Sequence, residues 1–173
     1  NAILSRFPIL TEHNQDVTHL RFDKRGLLHC AVKLPRLEPL LHCVCVHLSL
    51  FARSRRLQLD ALAGRIEDLV PTGAPLLVCS DFPAALDVAR TAGKPFATFG
   101  FRNDTEWQVQ DVIDDGKGLS FTVTRNQKEV GRFTTPLLGR MNIRNALGVS
   151  ALCAELGLST AEIAPGMASF LGV

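Results

Sequence analysis

The sequence predicts an α/β protein: a mixed sheet with helical crossovers, plus a small antiparallel meander and C-terminal helices. Three observations predict it. Residues 53–100 read helix, strand, helix, strand, the unit of a parallel sheet with right-handed crossovers. Residues 107–134 alternate apolar and polar side chains between turn signals, as hairpin strands do. Residues 139–173 carry an apolar period of three and four residues over two helical stretches.

Taken in order, Ala2–Leu4 reads as a short strand closed by the Arg6-Phe7-Pro8 turn, and the polar run Thr11–Asp16 reads as a loop. Leu27–Val32 and Leu41–Leu48 read as strands, separated by Pro35 and Pro39 and preceded by a Lys24-Arg25-Gly26 turn. Such short spacings favour antiparallel neighbours. Leu59, Leu62, Ile66 and Leu69 form the stripe of an amphipathic helix, which Pro71, Gly73 and Pro75 end. Leu76–Cys79 is a continuous apolar run, as in a strand covered on both faces. Ser80 or Asp81 is placed to cap the next helix, with Pro83 early in it and Gly93 closing it; Phe96–Phe99 is the following strand.

The meander begins at Trp107, Val109, Asp111 and Ile113, and turns at Asp114-Asp115-Gly116-Lys117-Gly118. Leu119–Thr124 returns, Asn126-Gln127-Lys128 turns again, and Val130–Thr134 runs into Pro136. Ile143, Ala146, Leu147, Val149, Ser150, Leu152, Cys153 and Leu156 then mark a mostly buried helix stopped by Gly157. Ser159-Thr160-Ala161-Glu162 is a capping box opening the last helix, which Pro165 should bend or shorten.

Composition narrows the function. A hydrophobic fraction of 46% and a charged fraction of 21% are those of a globular domain, and a net charge of +2 argues for neither nucleic acid nor a membrane surface as partner. No apolar run reaches the roughly 18 residues of a spanning helix. Cys30, Cys43, Cys45, Cys79 and Cys153 are an odd set on apolar positions, as expected of buried thiols in a cytoplasmic protein. The chain starts at Asn1 and runs straight into a strand-like stretch, as expected of a fragment. All five histidines precede residue 50, whereas both methionines and the tryptophan follow residue 100, so two ancestries are expected to meet in the middle.

On Leu41–Leu48, alternation puts Cys43, Cys45 and His47 on one face and His42, Val44 and Val46 on the other. The Cys-x-Cys-x-His spacing fits none of the usual zinc patterns, which favours core thiols over a metal site. The run Arg53-Ser54-Arg55-Arg56 reads either as a solvated helix start or as an anion contact.

The segments NAILSRFPI, RFDKRGLLHCAV, CVCVHLSLFARSRRLQL and APLLVCSDF, over about the first 80 residues, resemble the endonuclease/exonuclease/phosphatase family of metal-dependent phosphodiesterases. The resemblance implies a catalytic, phosphate-contacting role for His47 and a catalytic, metal-proximal role for Asp81, with magnesium as the ion. Two departures stand against it. The family's Gly-Asp-Phe-Asn is Ser80-Asp81-Phe82-Pro83 here, and no later Asp-His pair follows. A half-buried strand histidine and a helix-capping aspartate are the structural alternatives.

Residues 65–173, through PLLVCSDFPAALDVAR, FATFGF and FTTPLLGRMNIRNALGVSALCAELG, resemble the central ATP-binding domain of the Mur ligases. The likeness is to the type that attaches a recycled tripeptide to UDP-N-acetylmuramate. The family's Gly-x-His-Asn-x-x-Asn is Gly139-Arg140-Met141-Asn142-Ile143-Arg144-Asn145 here, with methionine for histidine. The resemblance implies that Gly139, Asn142 and Asn145 approach the adenine of ATP, with Mg2+ accompanying it. Local capping by Asn142 and local bonding by Asn145 are the alternatives. No Gly-x-x-x-x-Gly-Lys-[Ser/Thr] phosphate loop occurs in the 173 residues, so a nucleotide would be held weakly.

The expected organisation is therefore chimera-like: a partial phosphodiesterase-like segment at 1–70 and a partial Mur-ligase-like segment at 71–173. The seam falls at about 60–82; the front strands are expected to lie beside Leu76–Cys79 and Phe96–Phe99 in one mixed sheet, with the meander and the C-terminal helices covering the rest. Neither parent, an ATP-dependent ligase or a metal-dependent hydrolase, brings a full set of reactive groups, so the chain alone is expected to be inactive. A recombined or engineered scaffold without activity is the remaining alternative. Lost strands would leave open sheet edges, through which a homo-oligomer is expected.

Overall fold

Leu27, Cys30, Ala31 and Val32 are all buried on one strand, β2 (Gly26–Val32), because it is the centre of a three-stranded antiparallel sheet. The computed structural model describes residues 2–3, 5–35, 38, 40–70 and 74–172. The expectations at Leu4, Pro39, Pro71 and Gly73 lie outside the described residues. The chain divides into two compact units, Asn1–Val70 and Pro71–Val173.

In the first unit, β2 pairs with β1 (Ile9–Asp16) on one side and β3 (Leu41–Val46) on the other. The loop expected at Thr11–Asp16 is thus a strand. It lies at the sheet edge and is exposed almost throughout, so its polar side chains meet water while its backbone pairs with β2. Ala2 and Ile3 belong to no strand.

Helix α1 (Ala52–Leu69) follows β3. Its leucine stripe is only half buried, and the buried positions are Ser54, Gln58 and Ala63. Gln58 explains why. Its Oε1 accepts from the Ser49 amide at 2.8 Å and its Nε2 donates to the Val17 carbonyl at 3.3 Å, tying α1 to two loops. The hydroxyl of Ser49 bonds Asp23, which also pairs with Arg25. Arg55 donates to the Ser49 and Leu50 carbonyls, so part of the basic run stays within its own helix start.

The second unit holds β4 (Leu77–Cys79), α2 (Pro83–Thr91), β5 (Ala97–Gly100), β6 (Trp107–Asp114), β7 (Leu119–Arg125), β8 (Lys128–Thr135), α3 (Arg140–Glu155) and α4 (Thr160–Ser169). Its five strands lie in sequence order, β4, β5 and β6 parallel and β6, β7 and β8 antiparallel. The fold is the expected mixed α/β arrangement, with two corrections. The front strands form their own sheet rather than joining β4, because each hairpin-linked strand finds its partner locally. The meander is no separate layer, since β6 pairs with β5.

That parallel pair is joined by only six residues, 101–106. It is feasible because just two residue pairs overlap, Phe99 with Trp107 and Gly100 with Gln108. Gln108 Nε2 steadies the loop by donating to the carbonyls of Arg102 and Asn103. The core of this unit is Trp107, Phe121, Val123, Phe133, Leu147, Ala151 and Ile163, contributed by β6, β7, β8, α3 and α4. Ser159 and Glu162 form the expected capping box of α4, and that helix continues four residues past Pro165.

Candidate functional site

Parallel pairing of β4 with β5 puts the C-terminal ends of both strands on one edge of the sheet. The Ser80 amide extends the ladder to the Phe99 carbonyl at 2.9 Å, and Asp81 comes next. Asp81 Oδ1 accepts from the Phe101 amide at 2.9 Å, and Oδ2 accepts from Arg144 Nε of α3 at 2.8 Å. Both oxygens are thereby used by protein donors. Asp81 does not cap α2: Phe82 holds the N-cap position without a side-chain bond, and Pro83 fills the first helical position.

Gly100 makes room for this carboxylate. A Cβ there would lie 2.7 Å from Ser80 Oγ and 2.8 Å from Asp81 Oδ1. Above the pair, the Arg144 guanidinium lies 4.8 Å from the Phe82 ring centroid and 5.5 Å from that of Phe101, and Arg140 lies 4.4 Å from Phe101. Each such contact contributes about 0.5–1 kcal/mol when exposed. Phe82 remains half exposed, so the first two turns of α3 carry two arginines beside an open aromatic face.

Gly139, Asn142 and Asn145 sit at that same helix start. Gly139 is at φ +93, a conformation that favours glycine, and a Cβ there would touch nothing in the chain. Asn142 Nδ2 donates to the Leu138 carbonyl at 2.8 Å, a local bond that leaves its oxygen as acceptor. Asn145 is exposed and its carboxamide has no hydrogen-bond partner among the described residues. Met141, where the resemblance has histidine, is exposed.

His47 belongs to the first unit, just past β3, and is exposed. It lines a cavity of about 410 Å³ with Asn14, Asp16, Thr18, Lys24, Arg25 and Gly26. The Thr18 hydroxyl, and then its amide at 2.8 Å, hold the Asp16 carboxyl below its usual range. A second cavity, of about 230 Å³, lies in the second unit among Lys117, Ser120, Thr134 and Thr135 and includes none of the expected site residues. His47 and Asp81 lie in different units. Among the described residues no group of three His, Cys, Asp or Glu side chains is placed to hold a metal ion.

Two clusters were not foreseen. His29 Nε2 and His42 Nδ1 are 2.9 Å apart with the rings stacked, and Arg65 approaches His29 Nδ1 at 3.5 Å. Arginine can only donate, so Nδ1 of His29 presents its lone pair and Nε2–H donates to His42. Burial first, then His42, Arg65 and His13, push the His29 imidazole below its usual pKa. The strand register supplies the signal for this cluster, since His13 pairs with His29 and His42 with Ala31 on the same face. The other is the Asp81–Arg144 pair, whose members are 63 residues apart in sequence, and no local pattern announces it.

No family model matches the chain. It is 38% identical over 114 residues to the uncharacterized protein YbhP of Escherichia coli strain K12, covering 57% of this chain and 45% of that protein. It is 32% identical over 108 residues to the UDP-N-acetylmuramate–L-alanine ligase of Bordetella pertussis, covering 60% of this chain and 23% of the ligase. The chain therefore spans less than half the length of these curated relatives. Among solved structures, it is similar to the UDP-N-acetylmuramate:L-alanyl-gamma-D-glutamyl-meso-diaminopimelate ligase from Neisseria meningitides, at 25% identity and TM-score 0.56, over 73% of this chain and 39% of that one. The MurF structure from Acinetobacter baumannii aligns at TM-score 0.57 and 18% identity, over 69% of this chain and 26% of that one. Among the described residues no helix is long and apolar enough to cross a membrane. The mixed α/β fold of this chain is thus of the Mur-ligase-like kind.

Proposed function

We propose that residues 71–173 are a partial Mur-ligase-type central domain whose α3 start receives the adenine of ATP. The observation that carries this reading is the exposed carboxamide of Asn145, without a partner among the described residues and one turn from Asn142 on a helix opened by Gly139 at positive φ. A carboxamide donates and accepts at once, which suits a purine edge. The likeness in fold and sequence to ligases acting on UDP-N-acetylmuramate supports the same reading. In the parent family that the resemblance implies, the reaction is ATP-dependent amide-bond formation in the cytoplasm.

The residues present fit the base of ATP better than its metal. Asp81, which the phosphodiesterase resemblance places near magnesium, spends both oxygens on Phe101 and Arg144, and the described residues hold no three-member ligand group. With no phosphate loop in the sequence, the segment alone binds ATP on the order of millimolar and does not turn it over. Calorimetric titration with ATP tests this, with Asn145→Ala as the comparison. Absence of heat at several millimolar ATP, or equal heat from the variant, sinks it.

A second reading is favoured by one observation in the first unit. The cavity at His47 gathers Lys24, Arg25 and Asn14, donors suited to a phosphodiester, beside the Asp16 carboxylate. In this reading residues 1–70 are a phosphodiesterase-like segment fused to the ligase-like one, and His47 contacts the phosphoryl group. Hydrolysis of bis(p-nitrophenyl) phosphate that disappears in His47→Ala supports it; hydrolysis unchanged by that substitution refutes it.

A further inference from the structure

The antiparallel register of β2 and β3 sets Cys30 directly opposite Cys43. Opposed residues of such a pair have Cα atoms about 4.5–5.5 Å apart and side chains on the same face. A disulfide spans Cα atoms about 4.4–6.8 Å apart, so this pairing already meets its backbone requirement. Both thiols are free. We propose that Cys30 and Cys43 are a redox-responsive pair that closes to a cross-strand disulfide, locking β2 to β3 in the first unit.

The other thiols do not share this placement. Cys45 stands opposite Leu28, two residues along the same face, while Cys79 and Cys153 belong to the second unit. Accessibility sets the order of events. Cys30 is buried and Cys43 is half buried, so a small oxidant meets Cys43 first.

With a low-molecular-weight disulfide such as oxidised glutathione, the Cys43 thiolate attacks one glutathione sulfur and releases one glutathione thiolate. The Cys30 thiolate then attacks Sγ of Cys43 and expels the second. Two protein thiols lose two protons and two electrons, and one glutathione disulfide becomes two glutathione molecules. Burial, and secondarily the neighbouring Cys30, push the Cys43 thiol up, which makes the first step slow at neutral pH and faster in mild alkali.

Trypsin provides the readout. Cleavage after Arg25, Lys33, Arg36 and Arg53 places Cys30 in peptide 26–33, and Cys43 with Cys45 in peptide 37–53. Folded protein is treated with oxidised glutathione at about pH 8.5, alkylated and digested. The expected product is peptide 26–33 linked to 37–53, retained in Cys45→Ser and lost in both Cys43→Ser and Cys43→Ala. The same oxidation in urea should scramble the pairing. A link that survives loss of Cys43 overturns the proposal. So does a chain of unchanged circular dichroism that takes glutathione on Cys43 without ever forming the link.

Discussion

Arg144 of α3 donates from Nε to Asp81 Oδ2 at 2.8 Å, while the other oxygen of Asp81 holds the Phe101 amide. One carboxylate therefore binds the ends of β4 and β5 to the first turns of a helix 63 residues away in sequence. The pair is largely shielded, with side-chain exposures of 12% for Asp81 and 22% for Arg144. Removing one member leaves the other poorly paired, so Asp81→Ala should destabilise the chain by about 2–3 kcal/mol in urea titration. Arg144→Met, which keeps the stem against Phe82, should cost less. A double mutant no worse than Asp81→Ala would establish the coupling, and additive losses would refute it.

Gly100 should tolerate no side chain. Its Cβ would fall 2.7 Å from Ser80 Oγ and 2.8 Å from Asp81 Oδ1, both already fixed by hydrogen bonds. Gly100→Ala should lower stability by about 1–3 kcal/mol, the usual cost of overpacking. The same substitution at Gly64, where a Cβ meets nothing within a helix, should be neutral or mildly stabilising. Thermal melts of the two variants test the contrast.

Gln58 is 2% exposed and satisfies two backbone groups, the Ser49 amide and the Val17 carbonyl. Gln58→Leu has similar bulk and better hydrophobicity, yet it strands both groups. A loss of about 2–4 kcal/mol is expected, from one buried and one part-buried hydrogen bond left unmet. A Leu variant as stable as the parent would show that water replaces the carboxamide.

His29 makes stability depend on acidity. Its folded pKa is depressed below the ordinary 6.5, whereas the unfolded chain takes up its proton there. Stability is therefore full above about pH 6.5 and declines as pH falls below it, by at most about 1.4 kcal/mol per pH unit for one proton. Protonation of His29 at Nδ1 sets a cation against Arg65. Urea midpoints at pH 7 and pH 5.5 should diverge in the parent chain and converge in His29→Gln.

Much of this was legible because it is local. The α1, α2 and α3 helices, the β6–β8 hairpins and the Ser159–Glu162 capping box follow from periodicity, turn residues and caps within a few positions. The edge strand β1 was not, since Thr11–Asp16 has the polarity of a loop and becomes a strand only through its pairing with β2. The buried face of α1 was misjudged for a related reason. Polarity marks Ser54 and Gln58 as exposed unless their hydrogen-bond partners are known. At the candidate site, the Asn142–Asn145 spacing was visible, but the partner of Asp81 was not.

Both sheets keep their strands in the order of the chain, and even the parallel step from β5 to β6 spans only six residues. Ring closures during folding are correspondingly small, and the search that slows most sheet proteins is short. Each unit should collapse quickly in stopped-flow refolding, and β1–β3 should be able to assemble during synthesis before the second unit has left the ribosome.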